Sequence, residues 1–115
     1  IELHPHLIQK DLINFCFTHN IAIEAWRPLS KGALFTNDTI LSLAKNYNKT
    51  PSQIILRWHL ENDYIIIPKS VNKERIKENA NIFSFNLEPD DIIKISNLNA
   101  NIRYGPDPLT FSENL

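Results

Sequence analysis

Lys69, Asn72, Arg75 and Asn79 fall in one short stretch, Pro68-Lys69-Ser70-Val71-Asn72-Lys73-Glu74-Arg75-Ile76-Lys77-Glu78-Asn79, between an apolar run and a helical pattern. Lys69 puts an ammonium at the tip of the preceding strand. Asn72, Arg75 and Asn79 recur at i, i+3 and i+7, which lays them on one helical face with Glu78 beside them. A helix starting here turns its free amides and positive dipole end toward whatever lies above the strand. Amides, an ammonium and a planar guanidinium that donates two parallel hydrogen bonds together suit a phosphate. The same residues also suit a solvated basic face, and spacing alone leaves both readings open. A second stretch, Trp26-Arg27-Pro28-Leu29-Ser30-Lys31-Gly32, again comes directly after a strand-like run. Its indole could offer a flat surface to an aromatic cofactor ring while the loop wraps a phosphate chain. A core Trp followed by a turn is the other reading.

The remaining constellations are thinner. His4 and His6 straddle Pro5 near Glu2; that spacing could touch a metal, but two ligands without a third read as a strand end and its turn. His19 and His59 are isolated, and no Ser or Cys has a His or acid suggestively near in sequence. Glu24 sits among apolar neighbours in a strand-like run, a position that calls for a cation from elsewhere.

The elements that must position these residues alternate in period. Ile1–His4 reads as the tail of a strand closed by Pro5. Ile8, Leu12, Phe15 and Cys16 make an apolar stripe along a helix from about Gln9 to His19, with Asn20 as its stop. Ile21–Trp26 predicts a second strand ended by Pro28. Ile40, Leu43, Ala44 and Tyr47 predict a helix capped by Asn37 or Asp38. Thr50-Pro51-Ser52-Gln53 spells a capping box with Pro at the first helical position, opening a helix that carries Ile54, Ile55 and Trp58 inward. Tyr64–Ile67 is a continuous apolar run, the pattern of a parallel strand covered on both faces. Asn72 can cap a short helix with Ile76, Ala80 and Phe83 inward, and a last helix from about Glu88 to Leu98 opens with acidic residues. Residues 99–115 read as an irregular tail. Strands alternating with helices imply an α/β architecture with parallel strands. Three such strands leave two open edges, so the unit reads as incomplete.

Composition narrows the function classes. The 115 residues are 43% hydrophobic and 22% charged, a single globular domain at most. A net charge of −1 argues against a nucleic acid or acidic membrane held by bulk charge, and no apolar run approaches the roughly 20 residues that span a bilayer. One cysteine, Cys16, excludes an internal disulfide and reads as core filler. With no cationic leader, a reducing cytoplasm is the expected compartment. A chain with no Met that opens on Ile1 reads as a piece of something longer.

Ile1-Glu2-Leu3-His4-Pro5, Thr50-Pro51-Ser52-Gln53-Ile54 with Leu56-Arg57-Trp58, Ile67-Pro68-Lys69-Ser70-Val71, Arg75-Ile76-Lys77-Glu78-Asn79 and Gly105-Pro106-Asp107 together resemble the C-terminal part of an aldo-keto reductase. Lys-Ser-Val followed by this Arg and Glu-Asn is a specific signature. The resemblance implies an α/β chain forming about three βα units plus tail of a TIM (β/α)8 barrel, a single partial domain over residues 1–115. It also implies NADPH-dependent reduction of aldehydes or ketones to alcohols, with NADP as cofactor and a small carbonyl compound as substrate. On it, Lys69, Ser70, Asn72 and Arg75, in the Lys-Ser-Val71 context, would hold the 2′-phosphate, and Glu78 with Asn79 would contact the adenine. Trp26 would lie against the nicotinamide, and Arg27, Leu29, Ser30 and Lys31 along the pyrophosphate; Arg27 departs from the commoner Ser. The family's catalytic Tyr, Lys, Asp and His come from earlier strands, and Tyr47, Tyr64, Tyr104, His4 and His6 do not match them. No catalytic residue is therefore assigned, and the missing N-terminal part of the barrel is expected to be needed for activity. The alternative is a truncated, non-catalytic fragment with at most weak nucleotide binding. A stand-alone module recruiting partners through its open strand edges is a third reading.

Overall fold

Three backbone stretches run side by side in one direction. In the computed structural model, which describes residues 1–67, 77–78 and 81–106, strand β1 (Glu24–Ala25) pairs in parallel with β2 (Ile65–Ile66), Glu24 opposite Ile65 and Ala25 opposite Ile66. The opening segment joins β1 on its other side through a parallel bridge between Glu2 and Trp26. Trp26 N–H donates to Ile1 O at 2.6 Å and Leu3 N–H to Trp26 O at 3.2 Å. All three expected strands are therefore present and parallel, although the regular pairing is much shorter than the β-prone runs that carry it.

Parallel neighbours require crossovers, and helices supply them. Helix α1 (Lys10–Thr18) links the opening segment to β1, while α2 (Asp38–Tyr47) and α3 (Pro51–Glu61) link β1 to β2. Helix α4 (Pro89–Ser96) comes after β2, and short 3₁₀ turns occupy Ser30–Gly32 and Asn81–Ser84. Among the described residues no helix is long and apolar enough to cross a membrane.

Local chemistry sets the helix starts. The Asn37 side chain accepts from Thr39 N–H at 3.0 Å and Ile40 N–H at 3.2 Å, capping α2. Thr50 and Gln53 close the expected capping box: Gln53 N–H donates to Thr50 Oγ1 and Thr50 N–H to Gln53 Oε1. Asp90 and Asp91 stand in the first turn of α4, where the dipole favours them. Asn20, at φ 56°, turns the chain out of α1. The core gathers Leu3, Ile23, Ala25, Ile40, Leu43, Ile54, Ile55, Trp58 and Ile95, each of the large side chains stabilising the fold by roughly 1.5–3 kcal/mol. Trp58 Nε1–H donates to Ser96 Oγ, tying α3 to α4.

Several inward faces differ from expectation. On α1 the buried line runs through Ile13 and Cys16, leaving Leu12 and Phe15 exposed; Phe15 stacks on His19 instead, with centroids 4.1 Å apart. Near the second 3₁₀ turn Ile82 is buried and Phe83 is 72% exposed, the reverse of the predicted stripe. The expected cap at Asn72, with Ile76 and Ala80, lies outside the described residues. Around β2 only Tyr64 is buried, while Ile65 and Ile67 are about half exposed, so this run is not covered on both faces here. Glu24 is exposed, and among the described residues no cation pairs with its carboxylate.

Candidate functional site

Because β1 and β2 are parallel neighbours, the chain leaves both at the same end of the sheet, where open α/β folds place their ligands. The Trp26–Gly32 turn occupies the exit from β1. Arg27, Ser30 and Lys31 all adopt left-handed backbone near φ 54°, and Gly32 continues at φ 81°. Each non-glycine residue in that region costs about 1 kcal/mol or more, so three of them between Arg27 and Lys31 are held there by surrounding structure. Ser30 N–H bonds Arg27 O at 3.0 Å and Gly32 N–H bonds Leu29 O at 2.8 Å. From below, His59 on α3 donates its Nε2–H to Pro28 O at 2.9 Å, and half-buried Leu29 packs on the core.

This turn carries polar atoms that find no partner among the described residues. Ser30 is fully buried, and among the described residues neither its hydroxyl nor Arg27 Nε has a hydrogen-bond partner. A buried unpaired donor costs about 1–3 kcal/mol, so each such group calls for a physical explanation. The Arg27 guanidinium lies 4.5 Å over the Trp26 ring, a cation–π contact. Trp26 itself stays 39% exposed, and Lys31 is exposed. The structure thus brings Trp26, Arg27, Leu29, Ser30 and Lys31 into one strained turn.

Glu78 is described as well. Thr50 Oγ1 donates to Glu78 Oε1 at 2.6 Å, and Gln53 Nε2–H donates to Glu78 O at 2.8 Å. The segment at residues 77–78 is thereby anchored on the N-terminus of α3. Lys69, Ser70, Val71, Asn72, Arg75 and Asn79 lie outside the described residues.

Sequence reasoning grouped Glu2, His4 and His6 as a strand end, but missed what meets them from the far end of the chain. The Glu2 carboxylate, 3% exposed, accepts Tyr104 N–H at 2.7 Å and Gly105 N–H at 2.8 Å, and faces His4 Nε2 at 2.7 Å. Burial raises its carboxyl pKa, but the Tyr104 amide, His4 and the Gly105 amide outweigh that and hold it below the ordinary value. Burial lowers the His4 imidazole more than Glu2 raises it, with His6 and Arg103 adding repulsion. His4 is thus a neutral ring donating Nε2–H to Glu2. Nearby, His6 Nδ1 and Tyr104 OH share a hydrogen bond of 2.8 Å. The signal in the sequence is the alternation Glu2–Leu3–His4, which puts an acid and an imidazole on one face of a strand. Among the described residues no three His, Cys, Asp or Glu side chains converge as metal ligands.

Comparison with known proteins gives this geometry a context. The sequence model of the Aldo/keto reductase family matches residues 1–100. The chain is 49% identical to the uncharacterized oxidoreductase YtbE of Bacillus subtilis, across 96% of this chain and 40% of that protein. It is 47% identical to methylglyoxal reductase DkgA of Yersinia pestis, across 96% of this chain and 41% of that one. Among solved structures it superposes on a mutant of Gox0644 in complex with NADPH with a TM-score of 0.92 at 44% identity, covering 96% of this chain and 41% of that one. The chain spans about 40% of the length of the curated relatives it matches.

Proposed function

The chain belongs to the aldo/keto reductase family, and from that premise we propose that it forms the cofactor-gripping C-terminal part of a (β/α)8 barrel that reduces aldehydes or ketones with NADPH. The observation that carries this reading is the Trp26–Gly32 turn, with its unpartnered buried Ser30 hydroxyl at the exit of parallel strands. A similar chain has been solved with NADPH, and a methylglyoxal reductase is among the relatives.

The residues fit the group. Ser30 Oγ and Arg27 Nε are donors in need of acceptors, and the oxygens of a pyrophosphate are acceptors. In this reading Arg27, Leu29, Ser30 and Lys31 lie along the pyrophosphate, and Trp26 backs the nicotinamide. Lys69, Ser70, Asn72 and Arg75 hold the 2′-phosphate, next to Val71, while Glu78 and Asn79 face the adenine, with Glu78 steadied by Thr50 and Gln53. When bound, NADPH supplies the hydride; the groups of this chain bind and orient it. They do not include the proton donor. Tyr47 OH is taken by Asp91 Oδ2 and Glu88 N–H, Tyr64 is buried, and Tyr104 OH is held by His6. In this reading the catalytic groups come from the N-terminal part of the barrel, and the protein works in the cytoplasm. Half-exposed Ile65 and Ile67 favour a second reading for these 115 residues taken alone, a non-catalytic unit with at most weak nucleotide binding.

The test is a titration of the complete protein with NADPH and NADH. Arg75→Ala, by removing a charge-assisted contact to the 2′-phosphate, is expected to weaken NADPH about tenfold or more while NADH changes less than about twofold. An unchanged NADPH-to-NADH affinity ratio rejects the phosphate role.

A further inference from the structure

The Glu2 cluster joins two parts of the chain more than a hundred residues apart. Its carboxylate is sealed from solvent, with the side chain 1% exposed, and a buried carboxylate persists only where its oxygens are matched by donors. Three donors meet it: two consecutive backbone amides of the tail and the neutral His4 ring. Gln9 Nε2–H holds the Glu2 carbonyl at 2.6 Å, fixing the backbone behind it. The tail has no regular structure around residues 103–106, so these bonds, together with the His6–Tyr104 hydrogen bond and the His6 carbonyl that accepts the Ala100 and Ile102 amides, decide where it lies.

Where it lies is against Trp26. A Cβ on Gly105 would clash with Trp26 Cζ3 and would meet Cη2 at 2.6 Å and Glu2 Oε1 at 2.9 Å. Only a glycine admits so close an approach of backbone to ring. Glu2 and Trp26 are also bridge partners in the parallel ladder, so carboxylate, glycine and indole form one contact. Arg27 lies over the ring, while Gly105 abuts the edge of its six-membered part.

We propose that Glu2 is a positioning residue: by clamping the Tyr104–Gly105 backbone against the edge of Trp26, it fixes the indole surface on which the nicotinamide end of the cofactor rests. The proposal rests on the NADPH reading above. Glu2 touches neither cofactor nor substrate; it acts through Gly105 and Trp26. Replacing its carboxylate by an amide sets an N–H against one of the two tail amides and releases the clamp.

The experiment compares Glu2→Gln with the parent in the complete protein by two measurements. Hydrogen exchange at the Tyr104 and Gly105 amides is expected to speed up by about tenfold or more, the scale of one lost charge-assisted hydrogen bond. Affinity for NADPH is expected to fall by a similar factor, while affinity for adenosine 2′,5′-bisphosphate, which lacks the nicotinamide half, holds within about twofold. Equal losses for both ligands overturn the proposal, because they mean a general loosening. Faster exchange with unchanged NADPH affinity also overturns it, as does unchanged exchange. If Glu2→Gln does not fold, Gly105→Ala, which retains the carboxylate but drives a Cβ into the indole and against Glu2 Oε1, is expected to give the same selective loss of NADPH, and failure to do so counts equally against the proposal. A parent protein that binds no NADPH refutes the cofactor reading itself, an outcome seen before any variant is made.

Discussion

His59 donates its one N–H to the carbonyl of Pro28 and has no partner for its other nitrogen, although the ring is fully buried. Protonation would place a second N–H where nothing accepts it. Burial, only partly offset by Pro28 O, pushes its pKa down to about 4. In the unfolded chain the same ring titrates near 6.5. As pH falls through 6.5 the unfolded state takes up the proton first, so stability declines between pH 6.5 and 4 and levels off below. The slope approaches about 1.4 kcal/mol per pH unit, on the order of 3 kcal/mol across the window. Urea midpoints of the complete protein at pH 7, 6 and 5 are expected to fall accordingly. His59→Gln, whose amide can still donate to Pro28 O, is expected to flatten that fall. A residual slope belongs to His4 and His6, both also lowered chiefly by burial. None of this was legible in the sequence, where His59 stands alone; burial and a carbonyl from another element define it. The Trp26–Lys31 turn was legible because its residues adjoin the end of a strand-like run, whereas Glu2 depends on Tyr104 and Gly105 at the far end of the chain.

Helix starts were the most legible elements, and the inward faces the least. Thr50 and Gln53 are three residues apart, so their reciprocal bonds form wherever the helix does, and the same holds for Asn37 over Thr39 and Ile40. Around α1, by contrast, Leu12, Ile13, Phe15, Cys16 and Phe17 are all apolar, and the helical period fits more than one stripe; burial in the shared core selects Ile13 and Cys16. The choice of Ile82 over Phe83 has the same origin. The Thr50 cap also does something no local pattern announces, since its hydroxyl donates onward to Glu78. Thr50→Ala thus removes two interactions, the cap at about 1 kcal/mol and a charge-assisted bond across elements. The expected loss is about 1–3 kcal/mol by urea unfolding of the complete protein. Thr50→Ser keeps the oxygen and is expected to stay within about 0.5 kcal/mol of the parent.

At the scale of the molecule, order and direction of the strands were legible in the sequence, but their surroundings were not. Alternating strand and helix patterns require parallel pairing, and parallel pairing is what β1 and β2 show. The continuous apolar run Tyr64–Ile67 announces cover on both faces, yet Ile65 is 48% and Ile67 53% exposed, and Ile1 and Ile21 are exposed to a similar degree. The run's composition suits an environment that these 115 residues do not themselves supply. Relatives about two and a half times as long offer one, since this chain spans only about 40% of them. A closed barrel buries the inner faces of its strands and leaves no edge, whereas a short parallel sheet with apolar faces and open edges invites self-association. The 115 residues expressed alone are therefore expected to elute above monomeric mass in light-scattering chromatography and to bind a hydrophobic dye. Adding the N-terminal part that the longer relatives carry and this chain does not span is expected to reverse both. A sharp, cooperative thermal transition from a monomeric 115-residue chain would contradict this, because it would mean that the exposed isoleucines need no further cover.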